Sequence, residues 1–234
     1  MKKAICVFIF TMILTVVFAN ATMACIGARA AGMGHSGVAG QTDATVVYWN
    51  PAMLPWAEPG FSAGIVRPNK YDFITISTEN LGFLYVDETW DPYTHVSIGL
   101  EVTHDFAIGC SLGFGYSYPD AEWLPYISPA IAWRSGNITF GVLLQTMTNL
   151  RPAVCYQKNN LVLAAEYYDI LDYYKARRLR LGCEYKWNIL YIRFGSELAN
   201  TELIKNFGLG LKTKIMSLDV SYDTLSKWTI SFSI

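Results

Sequence analysis

Phe106-Ala107-Ile108-Gly109-Cys110-Ser111-Leu112-Gly113-Phe114-Gly115-Tyr116-Ser117-Tyr118 decides the fold, because its residues change character at every step. One set reads Phe106, Ile108, Cys110, Leu112, Phe114, Tyr116, Tyr118. The interleaved set, Ala107, Gly109, Ser111, Gly113, Gly115, Ser117, contains only small side chains. A period of two is that of a β-strand with one apolar face and one different face.

The same pattern recurs on both sides of this stretch. Val96, Ile98, Leu100 and Val102 oppose His95, Ser97, Gly99 and Glu101. Leu179, Leu181, Cys183, Tyr185 and Trp187 oppose Arg178, Arg180, Gly182, Glu184 and Lys186. Met216, Leu218, Val220 and Tyr222 oppose Ser217, Asp219 and Ser221, and Trp228, Ile230, Phe232 and Ile234 oppose Lys227, Thr229, Ser231 and Ser233. From Phe61 onward the chain parses into about 14 such segments. Phe61–Val66 and Pro152–Gln157 fall short of the 9–11 residues of a tilted spanning strand, so twelve strands is the alternative count.

The links between segments carry a second regularity. Short ones are expected at Thr78–Asn80, His104–Asp105, Ser135–Gly136, Lys158–Asn160, Asn188 and Lys214. Longer ones are expected at Pro68–Lys70, Glu88–Thr94, Pro119–Tyr126, Met147–Arg151, Asp169–Lys175, Glu197–Lys205 and Asp223–Ser226. Short inner turns alternating with longer outer loops is the habit of outer-membrane barrels. Tyr116, Tyr118, Tyr167, Tyr222 and Trp228 border long links, whereas Trp133, Tyr156 and Trp187 border short ones, as two interfacial girdles would.

Composition agrees. The chain is 52% hydrophobic but only 16% charged, against about 25% charged in ordinary soluble domains. After the first residues no apolar run reaches a helical span. Apolar content spread thinly in this way is what a membrane β-barrel produces, because only alternate residues face lipid. The formal net charge of −1 argues against nucleic acid as a partner. The reading is an all-β, antiparallel transmembrane barrel over residues 60–234.

Lys2 and Lys3, the apolar stretch Ala4 to Phe18 and the small residues Ala19-Asn20-Ala21 form an export signal over residues 1–21. The rival is a lipoprotein signal at Thr22-Met23-Ala24-Cys25, with Thr22 standing where leucine is the rule. Cys110 and Cys183 fall on apolar strand faces, and the cysteines read as small apolar residues rather than a disulfide framework.

Residues 22–59 precede the strands. Within them lie Ala28-Arg29-Ala30-Ala31-Gly32-Met33-Gly34-His35-Ser36-Gly37, then Asp43-Ala44, then Trp49-Asn50-Pro51-Ala52-Met53-Leu54. The G-x-G-x-x-G spelled by Gly32 to Gly37 lacks the preceding strand and following helix of a dinucleotide site. Asn50-Pro51-Ala52 fits a tight turn: Pro51 fixes φ, and the Asn50 side chain can reach the backbone two residues on. This stretch resembles the start of the FadL-like and PorV-like outer-membrane barrels, where an "ARA-GMG" run, an acidic residue and "NPA" precede the first strand. The resemblance implies an N-terminal hatch inside the barrel, with Asn50, Pro51 and Ala52 at its turn and Gly32 and Gly34 as its packing face.

Glu101, Arg134, Glu166, Arg178, Arg180, Glu184, Lys186, Arg193, Lys212, Asp219 and Lys227 all fall on the polar face of their segments. A mid-depth Arg or Lys on a lipid face costs about 2–4 kcal/mol, so this face lines the lumen. Arg134, Glu166, Arg178, Arg180, Glu184 and Arg193 are the lumen candidates. They either pair with one another or form a site for an anionic headgroup around Arg178 and Arg180. By the same siding, arginine is expected to be excluded at Leu181 and accommodated at Ser111 if the lumen has room.

His35, His95 and His104 have no metal-ligand spacing, and no catalytic motif or cofactor fingerprint occurs; neither enzyme activity nor a cofactor is expected. The resemblance implies passive transport of hydrophobic or amphipathic small molecules of the long-chain fatty acid or lipid type. A PorV-like adaptor of a type IX secretion system, with secretion-system proteins as partners, and a bare structural barrel are the alternatives. Outer-membrane lipid and the barrel-assembly machinery are expected partners, with both chain ends in the periplasm. The last residues depart from the aromatic ending usual for such proteins, since Phe232 is followed by Ser233 and Ile234.

Overall fold

A computed structural model describes residues 26–68, 71–88, 92–117, 122–173, 176–199 and 202–234. The export signal, Cys25 and Tyr118 lie outside them. Fourteen strands follow one another in chain order: β1 (Gly60–Arg67), β2 (Tyr71–Ser77), β3 (Leu81–Glu88), β4 (Tyr93–Thr103) and β5 (Phe106–Ser117). Next come β6 (Glu122–Ser135), β7 (Ile138–Gln145), β8 (Asn149–Lys158), β9 (Leu161–Tyr168) and β10 (Arg178–Trp187). The last four are β11 (Leu190–Ala199), β12 (Glu202–Lys212), β13 (Ser217–Asp223) and β14 (Trp228–Ser233).

Each strand pairs antiparallel with its neighbours in sequence, and β1 pairs with β14 from Ser62↔Ser233 to Arg67↔Trp228. The seam is finished by Phe61 N–H donating to Ile234 O at 3.0 Å and Ile234 N–H to Phe61 O at 2.9 Å. Closure leaves no strand edge on the sheet as a whole, which is the condition for a β-structure to sit in lipid. The count is fourteen, not twelve; β1 and β8 extend beyond their apolar cores into residues that sequence patterning leaves out.

The two faces separate as the alternation requires. Ile74, Ile98, Leu112, Ile131, Leu181, Phe194 and Val220 stand exposed around the outside, as do many like them. Such an unbroken apolar girdle is intelligible only against lipid. Their strand neighbours point inward and are buried.

The links differ from expectation. Pro119–Tyr126 is not a long loop, since β6 already begins at Glu122, and Glu197–Lys205 is not one either, since β11 runs to Ala199 and β12 resumes at Glu202. The longest link joins β9 to β10, between Tyr168 and Arg178. Short and long therefore do not alternate strictly. The cause lies in residues that look like loop formers but serve the barrel: Pro125 inside β6, and Glu197, which faces inward to arginines.

Candidate functional site

The inside of the barrel is occupied by residues 26–57. They contain two short helices, α1 (Ala28–Gly32) and α2 (Val46–Trp49), and a 3-10 helix over Pro51–Trp56. No helical period in the sequence announces them; a chain confined to a lumen must close its own backbone hydrogen bonds, and single turns do so in least space. Asn50 ends α2 and starts the 3-10 turn. Its Oδ1 accepts Ala52 N–H at 3.0 Å, while its Nδ2 donates to Val38 O at 2.9 Å and to Ile131 O on β6 at 3.3 Å. One side chain thus closes the turn, ties it to the rest of the segment and fastens both to the wall. Pro51 supplies the fixed φ at the first helical position.

Gly32 and Gly34 lie on the opposite side of the lumen. A Cβ at Gly32 would stand 2.9 Å from Gly208 Cα on β12. At Gly34 the backbone has φ +64°, and a Cβ would come within 2.7 Å of Ser196 backbone atoms on β11. Only glycine meets both demands there. The five residues that resemble a hatch are thus placed in two groups: Asn50, Pro51 and Ala52 near β4–β6, and Gly32 and Gly34 against β10–β12.

The lumen wall has two sectors. Among the described residues every buried Arg, Asp and Glu lies after β7: Arg151, Glu166, Asp169, Arg180, Glu184, Arg193, Glu197, Asp219 and Asp223. The inward faces of β1–β7 instead carry Val66, Tyr71, Phe73, Leu84, Val86, Tyr93, Tyr126 and Leu143, with serines and threonines between them. The segment turns a matching side to each. Val46, Val47, Tyr48, Trp49 and Leu54 join one apolar cluster with Phe73, Leu84, Tyr93 and Leu143. Arg29 reaches the charged sector.

That sector holds two ion-pair groups. In the first, Glu166 Oε1 accepts from Arg151 Nη2 at 2.6 Å and Arg180 Nη1 at 3.1 Å, while its Oε2 takes Val38 N–H at 3.2 Å. Arg180 Nε donates to Glu197 at 2.8 Å, and Glu197 also binds Arg178. The Arg151 guanidinium lies 5.1 Å from the centre of the Trp49 ring. In the second group Glu184 accepts Arg29 at 3.0 Å and Arg193 at 2.6 Å, and Arg193 also binds Asp219 at 2.5 Å. Burial works against the Arg29 charge, but Glu184 outweighs it and holds the guanidinium protonated.

Five of the six lumen candidates therefore fall in these groups, Glu166, Arg178 and Arg180 in the first and Glu184 and Arg193 in the second. Arg134 does not join them. It sits near the short-turn end of β6, where its guanidinium lies 3.7 Å from the centre of the Trp56 ring, and Trp56 Nε1 donates to Glu101 at 3.1 Å. Where an anionic headgroup is the alternative, Arg180 binds the carboxylates of Glu166 and Glu197, and Arg178 binds Glu197 through one nitrogen while staying partly exposed. Sequence patterning missed Arg29, Arg151 and Glu197. Arg151 was legible in principle, since it shares the inward parity of Asn149, Ala153 and Cys155.

Near the apolar sector His95 spans the gap to α2. Its Nε2 lies 3.1 Å from Val47 O, which can only accept, so that nitrogen carries the proton and Nδ1 accepts from Tyr126 OH at 2.9 Å. Ser97 also donates to Val47 O, at 3.2 Å, and shares a 2.7 Å hydrogen bond with Ser111. Ser111 is 2% exposed. The room expected for an arginine there is taken by the N-terminal segment, which sequence periodicity alone does not reveal.

Cys110, Cys155 and Cys183 are free thiols. No group of metal-ligating side chains occurs among the described residues.

No protein-family model matches this chain, and no curated protein does. Solved structures do. The toluene transporter TbuX of Ralstonia pickettii is similar over 89% of this chain and 97% of its own, with a TM-score of 0.66 and 12% identity. The monoaromatic hydrocarbon channel CymD gives 0.65 at 12% identity over 89% of this chain and 96% of its own. A FadL homologue of Pseudomonas aeruginosa gives 0.63 at 10% identity over 90% and 98%. At such identities the likeness is one of fold. The class defined is a closed fourteen-stranded barrel of the outer-membrane type, with the fold of the FadL-type channels.

Proposed function

We propose that the protein is a passive outer-membrane channel for small hydrophobic or amphipathic molecules, gated by its N-terminal segment. The division of the lumen carries this reading. On the charged side the segment is tied by directional bonds through Arg29, Val38 and the close backbone contacts of Gly32 and Gly34. On the other side the segment enters no ion pair among the described residues: apolar contact with Phe73, Leu84, Tyr93 and Leu143 is joined by neutral hydrogen bonds, from His95 and Ser97 to Val47 O and from Asn50 to Ile131 O. A hydrophobic molecule entering that sector replaces one apolar contact with another at little cost, whereas water and ions gain nothing there. The names of the similar structures, hydrocarbon channels and a toluene transporter, support the same substrate class; fatty acids and lipids belong to its amphipathic end. On this reading the end of the barrel with mostly shorter turns, which carries Gly60 and Ser233, faces the periplasm.

Uptake by cells tests this. In a Gram-negative host stripped of its own FadL-type channels, expression should raise the initial rate of toluene or oleate uptake severalfold. A rate equal to that of the empty-vector host would overturn the proposal. A second reading, a closed structural barrel, is favoured by the dense packing of the segment at Gly32 and Gly34. A secretion adaptor draws less support, since the links at both ends are too short to build a broad cargo surface.

A further inference from the structure

At the short-turn end the N-terminal segment and strands β8–β13 leave a cavity of about 640 Å³ that the transport reading does not use. Its volume falls within the ~300–1,000 Å³ of small-molecule sites. The charges lining it are unevenly committed. Glu184 is taken by Arg29 and Arg193, Asp219 by Arg193, and Glu58 by Lys212 at 2.6 Å. Asp43 accepts from Thr45 N–H at 2.8 Å. Lys186 and Lys214 also line the cavity, and neither enters an ion pair among the described residues. Against Asp43, which bonds only the neutral Thr45 groups, these two ammonium groups leave a net positive charge.

Beside Lys186 the cavity wall is apolar. The Tyr191 ring lies between two cations, with Lys186 Nζ and Arg193 Cζ each 5.6 Å from its centre. Ile189 and Val162 continue it, and Gln157 and Asn159 add amides at the rim. Two cations outside any ion pair, one of them beside a ring, share this cavity with two aliphatic side chains, and that combination suits one kind of molecule. We propose that this vestibule binds a small organic carboxylate with a short apolar body: Lys186 and Lys214 hold the anion, and Tyr191 with Ile189 holds the body. A bare inorganic anion would leave the apolar wall unused, and a neutral aromatic would leave the lysines unsatisfied. The site needs no passage through the lumen, so it stands or falls apart from transport.

Calorimetric titration of the refolded full barrel in uncharged detergent tests it, with benzoate, benzamide and inorganic phosphate as probes. Benzoate should bind saturably, more tightly than either benzamide or phosphate. The Lys186→Gln/Lys214→Gln double variant should bind it about tenfold more weakly, the combined worth of two exposed charge contacts. Both lysines are exposed, and heat-dependent gel mobility establishes that the variant is folded. Absence of saturable benzoate binding, equal affinity for benzamide or phosphate, or indifference to the double substitution in a folded barrel would each overturn the proposal.

Discussion

Pro129 and Pro152 stand on opposite sides of the β7–β8 hairpin, each at the position where the ladder to the next strand stops. Arg134 N–H donates to Asp105 O, so even-numbered residues of β6 bond to β5 and odd-numbered ones face β7. Pairing of β6 with β7 ends at Ala130↔Leu143, and Pro129 would have supplied the next donor. Likewise Gln157 N–H donates to Asn137 O, which turns even-numbered residues of β8 toward β9. That ladder ends at Ala153↔Glu166, one residue before Pro152. Pro125 follows the same parity on β6, which explains how a proline sits inside a strand.

The outer end of this hairpin should therefore open more readily than its neighbours. Amide hydrogen exchange at Leu144 to Leu150 is expected to be faster than at Leu181 to Tyr185. Pro129→Val with Pro152→Val returns two donors, each worth about 0.5–1.5 kcal/mol net, and should slow exchange there. Exchange unaltered by the double substitution would mean the prolines do not set where the hairpin unzips.

Leu181 and Ser111 lie on opposite faces, 45% and 2% exposed, yet arginine should be rejected at both. At Leu181 it meets lipid, at a cost of about 2–4 kcal/mol. At Ser111 it would enter a site filled by Ser97 and Val47, where no carboxylate bonds Ser111 or Ser97 among the described residues, and a buried unpaired charge costs several kcal/mol. Urea titrations in bilayers should show Ser111→Arg destabilised at least as much as Leu181→Arg. A well-tolerated Ser111→Arg would show that the lumen has room the packing denies.

Glu166 binds two guanidinium groups and one backbone N–H within a site that excludes water. Replacing it by glutamine keeps the shape but leaves Arg151 without its carboxylate. Breaking a buried pair costs about 3–5 kcal/mol. By contrast Asp72, exposed and paired with Arg67 at 2.9 Å, should cost less than about 1 kcal/mol when changed to asparagine. Similar losses for the two variants in unfolding titrations would contradict the assigned burial of the network.

Alternation was enough to find the barrel, its count of about fourteen strands and which face holds the charges, because a period of two is a local property. The pairing of those charges was not legible. Glu166, Arg180 and Glu197 come from β9, β10 and β11, so their meeting depends on register across the sheet, which no single segment states. Arg29 is hidden differently: it stands in a run whose small residues draw the eye, and its role appears only once that run is placed beside β10. Glu197 and Pro125 read as loop in the sequence because acidity and proline are surface signals in soluble proteins, whereas here one faces a lumen and the other an unpaired ladder position.

His35 gives the fold a pH dependence. Its backbone is left-handed, at φ 60°, and Nδ1 lies 3.8 Å from Glu197 with the ring 20% exposed. Burial pushes its pKa from 6.5 down to about 4; Glu197 opposes this, while Arg180 and Lys227 reinforce it. Above pH 6.5 the imidazole is neutral folded or unfolded. Between pH 6.5 and 4 the unfolded chain takes up a proton that the folded barrel refuses, so stability falls as pH falls. His35→Gln should flatten the stability profile in that window and leave it unchanged above pH 7. An identical slope in the variant would refute the assignment.

The segment itself offers the most direct test of gating. Deleting residues 26–57 removes Arg29, yet Glu184 keeps Arg193, and Glu166 keeps Arg151 and Arg180. The strands close on their own ladders, so the barrel should still refold, less stably, and retain its heat-dependent mobility. Barrels of about eight strands fill their interior with their own side chains, and larger ones do not. A fourteen-stranded wall emptied of its segment should leave a water-filled path lined on one side by Glu166, Arg180, Glu184 and Arg193. Planar-bilayer conductance of the deletion protein should then exceed that of the intact barrel severalfold, while point changes at the outward Leu181 leave conductance alone. If the refolded deletion conducts no better than the intact protein, the segment is not what closes the lumen, and the structural-barrel reading takes precedence over the channel.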